Sequence, residues 1–121
     1  MSESPLMIKS KAFALEVIRA CKVLREAKCE SALINQFLRS GTSIGANIRE
    51  AFYAHGKADF VAKLHIALKE CSETEYWLEL LIELLSLVSL LHSWVLRLWA
   101  LLPLRLVLSV SLVVLMVLRL S

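Results

Sequence analysis

The chain has 121 residues, the length of one domain, and with only three glycines, two prolines and no alternating strand pattern it favours an all-helical fold. Its net charge of +3 comes entirely from the last 38 residues, because residues 1–83 carry 11 basic and 11 acidic side chains. Charge alone therefore does not identify a nucleic-acid-binding protein.

A first helix is predicted from about residue 11 to residue 28, with Ser10 as its N-cap. Lys22, Arg25 and Lys28 follow one another at three-residue steps and form the one compact basic group, so they are the candidate nucleic-acid contacts. The apolar stripe expected to face the core contains Ala14, Val17, Ile18, Cys21 and Leu24, widened by Phe13 and Leu15.

A second helix is predicted to follow Ser31, its expected N-cap, and to run to about Tyr53, although "SGTSIGANIREA" within it has the composition of a loop. A phosphate loop needs GxxxxGK[ST] after a strand, and here no lysine follows Gly45 and no strand precedes Gly41. The apolar residues instead recur at helical spacing, so Gly41, Gly45 and Ala46 are predicted to form a close-packing patch where another backbone approaches. Replacement of Gly45 by leucine is expected to disrupt folding or assembly.

A polar ladder is predicted along one flank of the second helix, from Arg39, Ser43, Asn47 and Glu50. It would face the carboxylates of "ECSETEYW" on the next helix, and either Arg39 or Arg49 would pair with one of them. The alternative is that each charge is simply solvated, as is usual for single surface pairs.

A third helix follows the break "AHGKAD", where Gly56 is expected in the left-handed conformation and Asp59 near the next helix start. Its apolar residues form a heptad seam, which predicts nearly parallel or antiparallel helical neighbours and, with short connections, an antiparallel up-and-down bundle. The seam consists of Phe60, Leu64, Ala67, Cys71, Thr74, Leu78, Leu81 and Leu85. The core carrying assembly is predicted from Phe37, Ile44, Ile48, Phe60, Leu64 and Leu78.

Residues 84–121 differ sharply from residues 1–83, since they contain 16 leucines, 7 valines and no acidic residue. Pro103 is predicted to break this segment into two helical pieces. Three interpretations stay open: a buried fourth helix, a membrane-associated segment, or an out-of-frame end. Its two longest uncharged runs have 13 residues each, whereas a spanning helix needs about 20.

The segments "LRSGTSIGANIREA" and "DFVAKLHIALKECSETEYWLELL" together resemble the family of 23S rRNA intervening-sequence proteins, which is related to the accessory protein of diversity-generating retroelements. The resemblance covers about residues 9–83. It implies an antiparallel four-helix bundle that assembles into a ring-like homo-oligomer, commonly a pentamer, and associates with RNA or DNA through a basic surface. The leucine-rich segment departs from the charged fourth helix that the family usually has.

No catalytic, metal or cofactor site is predicted. His55, His65 and His92 lack metal-ligand spacing, and Glu75, Glu79 and Glu83 form a row that a solvated helix face explains. Three unpaired cysteines and the absence of a signal-peptide pattern in the first ten residues favour a reducing cytoplasmic location. The sequence thus predicts a non-catalytic, self-associating helical bundle; the alternative is a helical protein that residues 84–121 anchor to a membrane.

Overall fold

The computed structural model describes residues 3–89 and position 119, and within them it contains three α-helices and no strand. The helices are α1 (Pro5–Glu26), α2 (Ser31–Phe52) and α3 (Lys57–Ser89). The prediction of an all-helical fold is confirmed. The fourth helix of the predicted bundle, with its break near Pro103, lies outside the described residues.

The first helix begins six residues earlier than the sequence analysis placed it. Ser4 is the N-cap, its hydroxyl accepts a hydrogen bond from the backbone N–H of Leu6 at 3.2 Å, and Pro5 occupies the first helical position. Proline is well suited to that position because its missing N–H would have no partner there. Ser10 is therefore not a cap: it is buried inside the helix, where its hydroxyl donates to the Met7 carbonyl at 3.1 Å.

The end of α1 is closed by a left-handed residue that is not glycine. Lys28 has a φ of 60°, its N–H donates to the carbonyl of Arg25, and the N–H of Cys29 donates to the carbonyl of Leu24. This is the Schellman pattern of hydrogen bonds, in which the left-handed position is most often glycine.

Gly56, by contrast, does not take the left-handed conformation, because no glycine in the described residues has a positive φ. The second helix ends through Tyr53, whose φ of −105° and ψ of 13° keep the chain right-handed. Gly56 precedes α3 and accepts a hydrogen bond from the N–H of Phe60 at 3.0 Å. The prediction of a left-handed Gly56 was therefore wrong. The second helix ends without a left-handed residue, so glycine is not required for that conformation here.

The second helix lies between the other two, since α1 and α3 each pack on α2 and their backbones do not approach each other within the described residues. Both packings are antiparallel: Gly45 and Gly41 of α2 face Ser10 and Val17 of α1 in that order. On the other side, α2 meets α3 through Phe52 with Phe60 and, at the opposite end, Arg39 with Glu70.

One hydrophobic core joins all three helices, and it follows the spacing expected from the sequence on α2 and α3. The heptad seam of α3 is buried from Leu64 to Leu81, with Phe60 and Leu85 half-buried at its ends. The third helix has 33 residues, so it continues past Glu83 to Ser89 and is longer than the 22-residue α1 and α2.

Candidate functional site

Gly41 and Gly45 lie at the contact between α2 and α1. A Cβ atom added to Gly41 would lie 2.8 Å from Cγ1 of Val17, closer than side-chain atoms pack. A Cβ added to Gly45 would lie 3.4 Å from the backbone oxygen of Ser10, an ordinary contact distance. Of the three predicted close-packing residues, Gly41 is buried and Gly45 half-buried, whereas Ala46 is exposed at the edge of the same contact.

An open groove of about 360 Å³ runs over this contact. Small residues of both helices form its floor, and two cationic side chains, Lys11 from α1 and Arg49 from α2, line it. Arg49 also lies 3.6 Å from the carboxylate of Glu3. The groove forms because the small side chains at the α1–α2 contact leave the space above them unfilled.

The predicted polar ladder lies on the α3 side of α2. Ser43 donates its hydroxyl proton to the carbonyl of Arg39 at 2.6 Å, and the amide of Asn47 donates to the carbonyl of Ser43 at 2.8 Å. These two bonds stay within α2. Only the ends of the ladder reach α3: Glu50 pairs with Lys63 at 2.6 Å, and Arg39 pairs with Glu70 at 3.4 Å and with Glu73.

Glu73 is the centre of a small charged network between α2 and α3. Its carboxylate accepts hydrogen bonds from the guanidinium of Arg39 and, at 3.1 Å, from the indole N–H of Trp77. The bonds from Arg39 and then from Trp77 hold the pKa of Glu73 below its ordinary value, because both favour the charged carboxylate. Arg39, rather than Arg49, is the partner of these glutamates; Arg49 faces Glu3 instead.

The three candidate nucleic-acid contacts lie near the C-terminal end of α1, and all three are exposed. Lys22 and Arg25 belong to the helix, and Arg25 donates to the side-chain oxygen of Asn35 on α2 at 3.2 Å. Lys28 lies beyond the helix in the left-handed turn. The turn therefore presents Lys28 apart from the helical face of the other two.

Sequence reasoning missed an apolar face on the outside of α1. Ile8, Leu15 and Ile18 are 52%, 47% and 49% exposed, and their spacing of seven and three residues places them on one side of the helix. The predicted inward stripe had assigned Ile18, with Leu15 at its margin, to the core. The buried stripe is instead Leu6, Ser10, Phe13, Val17, Ala20, Cys21 and Leu24.

Two buried thiols lie in the core, one on α1 and one on α3. Burial, and then the neighbouring carboxylates of Glu75 and Glu70, raise the pKa of Cys71 to about 12. Burial also raises the pKa of Cys21 and that of the half-buried Cys29. These thiols pack as apolar groups rather than acting as nucleophiles.

Within residues 3–89, His, Cys, Asp and Glu side chains do not form a cluster of three or more that would hold a metal ion. The helices of that same range also include none with the length and apolar character needed to cross a bilayer. The segment on which the membrane alternative depends, residues 84–121, lies mostly beyond it.

Comparison with known proteins identifies a family and a similar solved structure. The model of the family described as 23S rRNA-intervening sequence protein matches residues 3–90. A crystal structure from Bacteroides thetaiotaomicron, of a protein of unknown function from the S23 ribosomal protein family, is 37% identical to this chain with a TM-score of 0.75. The match covers 95% of this chain and 96% of that one. No curated protein sequence matches the chain significantly.

Proposed function

The chain belongs to the 23S rRNA-intervening sequence protein family, and we propose that it is a non-catalytic helical bundle that associates with copies of itself and with nucleic acid. The expected assembly is a ring, commonly a pentamer in proteins of this kind. Residues beyond Ser89 would supply the fourth helix of each bundle, and the protein would work in the cytoplasm.

The observation that carries the proposal of self-association is the outer face of α1. Three large aliphatic side chains stand about half-exposed on one side of a helix whose opposite side is already packed in the core. A helix with apolar residues on both sides is typical of a protein with a helical partner on each side.

The nucleic-acid part of the proposal is supported by basic side chains that form no ion pair among the described residues. Among the described residues Lys22 and Lys28 have no ion pair, and Arg25 is bonded only to a neutral amide. Repetition of such a basic end around a ring would place several cations on one surface, and phosphate backbones bind surfaces of that kind.

The two halves of the proposal are tested separately. Light scattering on the full-length chain measures the mass of the particle, and a monomer at micromolar concentration would contradict self-association. Fluorescence anisotropy with a labelled RNA duplex, repeated at several salt concentrations, measures nucleic-acid binding. We expect binding that weakens with salt, and a triple variant K22Q/R25Q/K28Q with a shallower salt slope. Binding that does not change with salt or in this variant would contradict the assigned contacts.

A membrane-anchored protein is the second candidate, because residues 84–121 are rich in leucine and valine. Fractionation of cells expressing the full chain distinguishes the two. Recovery in the soluble fraction without detergent would contradict anchoring, and detergent dependence that disappears on truncation after Glu83 would support it.

A further inference from the structure

We propose that assembly occurs head to tail, with the outer face of α1 in one copy packing on the outer face of α3 in the next. The inference rests on the self-association part of the proposed function and names the two surfaces that meet. We call them the α1 seam, made of Ile8, Lys11, Leu15, Ile18, Lys22 and Arg25, and the α3 stripe, made of Lys69, Ser72, Tyr76, Glu79, Glu83 and Leu87.

The α1 seam has the spacing of a helix-packing surface although nothing in the described residues covers it. Its members follow one another at steps of 3, 4, 3, 4 and 3, and all six are exposed. This is the periodicity by which one helix packs along another. The buried stripe of the same helix lies on the other side, so the seam is a second packing surface.

The α3 stripe has the matching periodicity on the outer side of α3. Its members are spaced by 3, 4, 3, 4 and 4 residues, and all are exposed. Tyr76 and Leu87 are 52% and 67% exposed, and they supply the apolar part of the stripe. Because the backbones of α1 and α3 do not approach each other within the described residues, these two surfaces of one copy do not pack on each other.

The charges of the two surfaces are complementary where the seam ends. The charged members of the α1 seam are all basic, and Lys22 has no ion pair among the described residues. Glu79 and Glu83, which end the α3 stripe before Leu87, likewise have no cationic partner there. Complementary charges of this kind set the register and the choice of partner at helical interfaces.

The complementary charges also lie at the same height along the bundle. Since α1 and α3 both run antiparallel to α2, they run parallel to each other. Cys21 of α1 lies against the carbonyl of Ile34, which precedes Arg39 by five residues in α2, and Arg39 pairs with Glu73. Five residues back on α2 correspond to about five residues forward on α3, so Lys22 is level with Glu79 and Arg25 with the region of Glu83.

Rotation about an axis parallel to the helices preserves these heights. A neighbouring copy related by such a rotation would therefore place its Glu79 and Glu83 opposite Lys22 and Arg25. Of the three candidate nucleic-acid contacts, Lys28 then stays outside the interface and available to phosphate, whereas Lys22 and Arg25 pair with the second copy. The same rotation places Ile18 near the partner's Tyr76. Contacts between two different surfaces repeat from copy to copy, and they close into a ring when the rotation angle divides a full turn.

Charge reversal in the full-length chain tests the pairing. We expect K22E/R25E and E79K/E83K each to raise the dissociation constant of the assembly at least tenfold, as measured by sedimentation over a dilution series, because like charges would then face each other. The variant with all four substitutions should recover assembly to within about threefold of the wild type. A control with the same change in charge off both surfaces, K9E/K57E, should assemble like the wild type.

A second pair of variants tests the apolar contact. We expect I18S to weaken assembly at least tenfold, whereas Y53S, which removes an exposed apolar side chain outside both surfaces, should not. Circular dichroism on every variant establishes that the helices are retained.

The outcomes separate this inference from the proposed function. A monomeric wild type would overturn self-association itself. An assembled wild type whose mass is unaffected by K22E/R25E, or whose fourfold variant fails to recover, would overturn the α1–α3 pairing. If K22E/R25E abolishes RNA binding and leaves assembly unchanged, then Lys22 and Arg25 contact nucleic acid and not a second copy.

Discussion

Gly41 of α2 and Val17 of α1 pack so closely that there is no room for a methyl group between them. A Cβ at position 41 would lie 2.8 Å and 2.9 Å from the two γ-carbons of Val17. Valine is branched at Cβ and has few alternative rotamers, so its side chain cannot simply turn away. The contact fixes the distance between α1 and α2.

We expect G41A to destabilise the fold by about 1 kcal/mol, because overpacking costs about 1–3 kcal/mol and the gain in helix propensity returns only about 1 kcal/mol. The matched control is G45A, whose new methyl group would make an ordinary 3.4 Å contact with Ser10. G45A should be neutral or slightly stabilising. Urea unfolding at one fixed protein concentration measures the free energy of unfolding of both variants and the wild type.

A double-mutant cycle connects the G41A effect to Val17. In the G41A background, V17A should lower the free energy of unfolding by less than it does in the wild type, because the smaller side chain relieves the overpacking. An equal loss of unfolding free energy in the two backgrounds would show that the methyl group of Ala at position 41 does not overpack against Val17.

We expect K28G to stabilise the protein by about 1 kcal/mol. Lys28 occupies the left-handed region with a φ of 60°, and an L-residue with a Cβ pays about 1 kcal/mol there that glycine does not. The control is K28A, which removes the same charge and keeps the Cβ. In thermal unfolding, the melting temperature should be higher for K28G than for the wild type and unchanged for K28A. An equal rise in K28A would assign the effect to the lost charge.

Glu73 makes stability depend on pH in the acid range. Its pKa is lower in the folded state than in the unfolded chain, so its contribution is present above the unfolded pKa and is lost as pH falls through the folded pKa. The difference in melting temperature between wild type and E73Q should therefore shrink as pH falls from neutral to about 3. E75Q removes an exposed carboxylate that has no ion pair in the described residues and lies outside the α3 stripe, so it should show a smaller difference at neutral pH.

The three thiols should react in a fixed order. Cys29 is half-buried, whereas Cys21 and Cys71 are buried, and burial with the nearby Glu75 and Glu70 raises the pKa of Cys71 to about 12. Iodoacetamide at pH 8 should therefore modify Cys29 first and Cys71 only after unfolding. Mass spectrometry of peptides from native and urea-treated samples measures the order, and rapid native labelling of Cys71 would contradict its burial.

The second and third helices were predictable because the apolar residues that face the core recur at a regular helical spacing on each of them. On α2 the buried residues Ile34, Phe37, Ile44 and Ile48 follow the spacing seen in the sequence, and the α3 seam does the same. Periodicity identifies the inner side of a helix when the opposite side is polar. The glycine-containing stretch is accordingly helical, despite its loop-like composition.

The buried face of the first helix was harder to predict because apolar residues occur on all sides of the helix. Ile18 and Val17 are equally hydrophobic, so only packing decides that Val17 is buried and Ile18 exposed. Its start was also missed: Ser4 followed by Pro5 is a regular helix beginning, but Ser10 offered an equally plausible cap. The left-handed residue was assigned to Gly56 by composition, whereas the tight turn after α1 requires it at Lys28.

The position of α2 between α1 and α3 has a consequence for how the chain folds. Each neighbour forms a helical hairpin with α2 through short connections, and neither hairpin requires contact between α1 and α3. Either hairpin can therefore nucleate first, and contacts so local in sequence are typical of fast folding. Core truncations in α2, such as I44A, should slow both routes, whereas truncations in α1 or α3 leave the other route open.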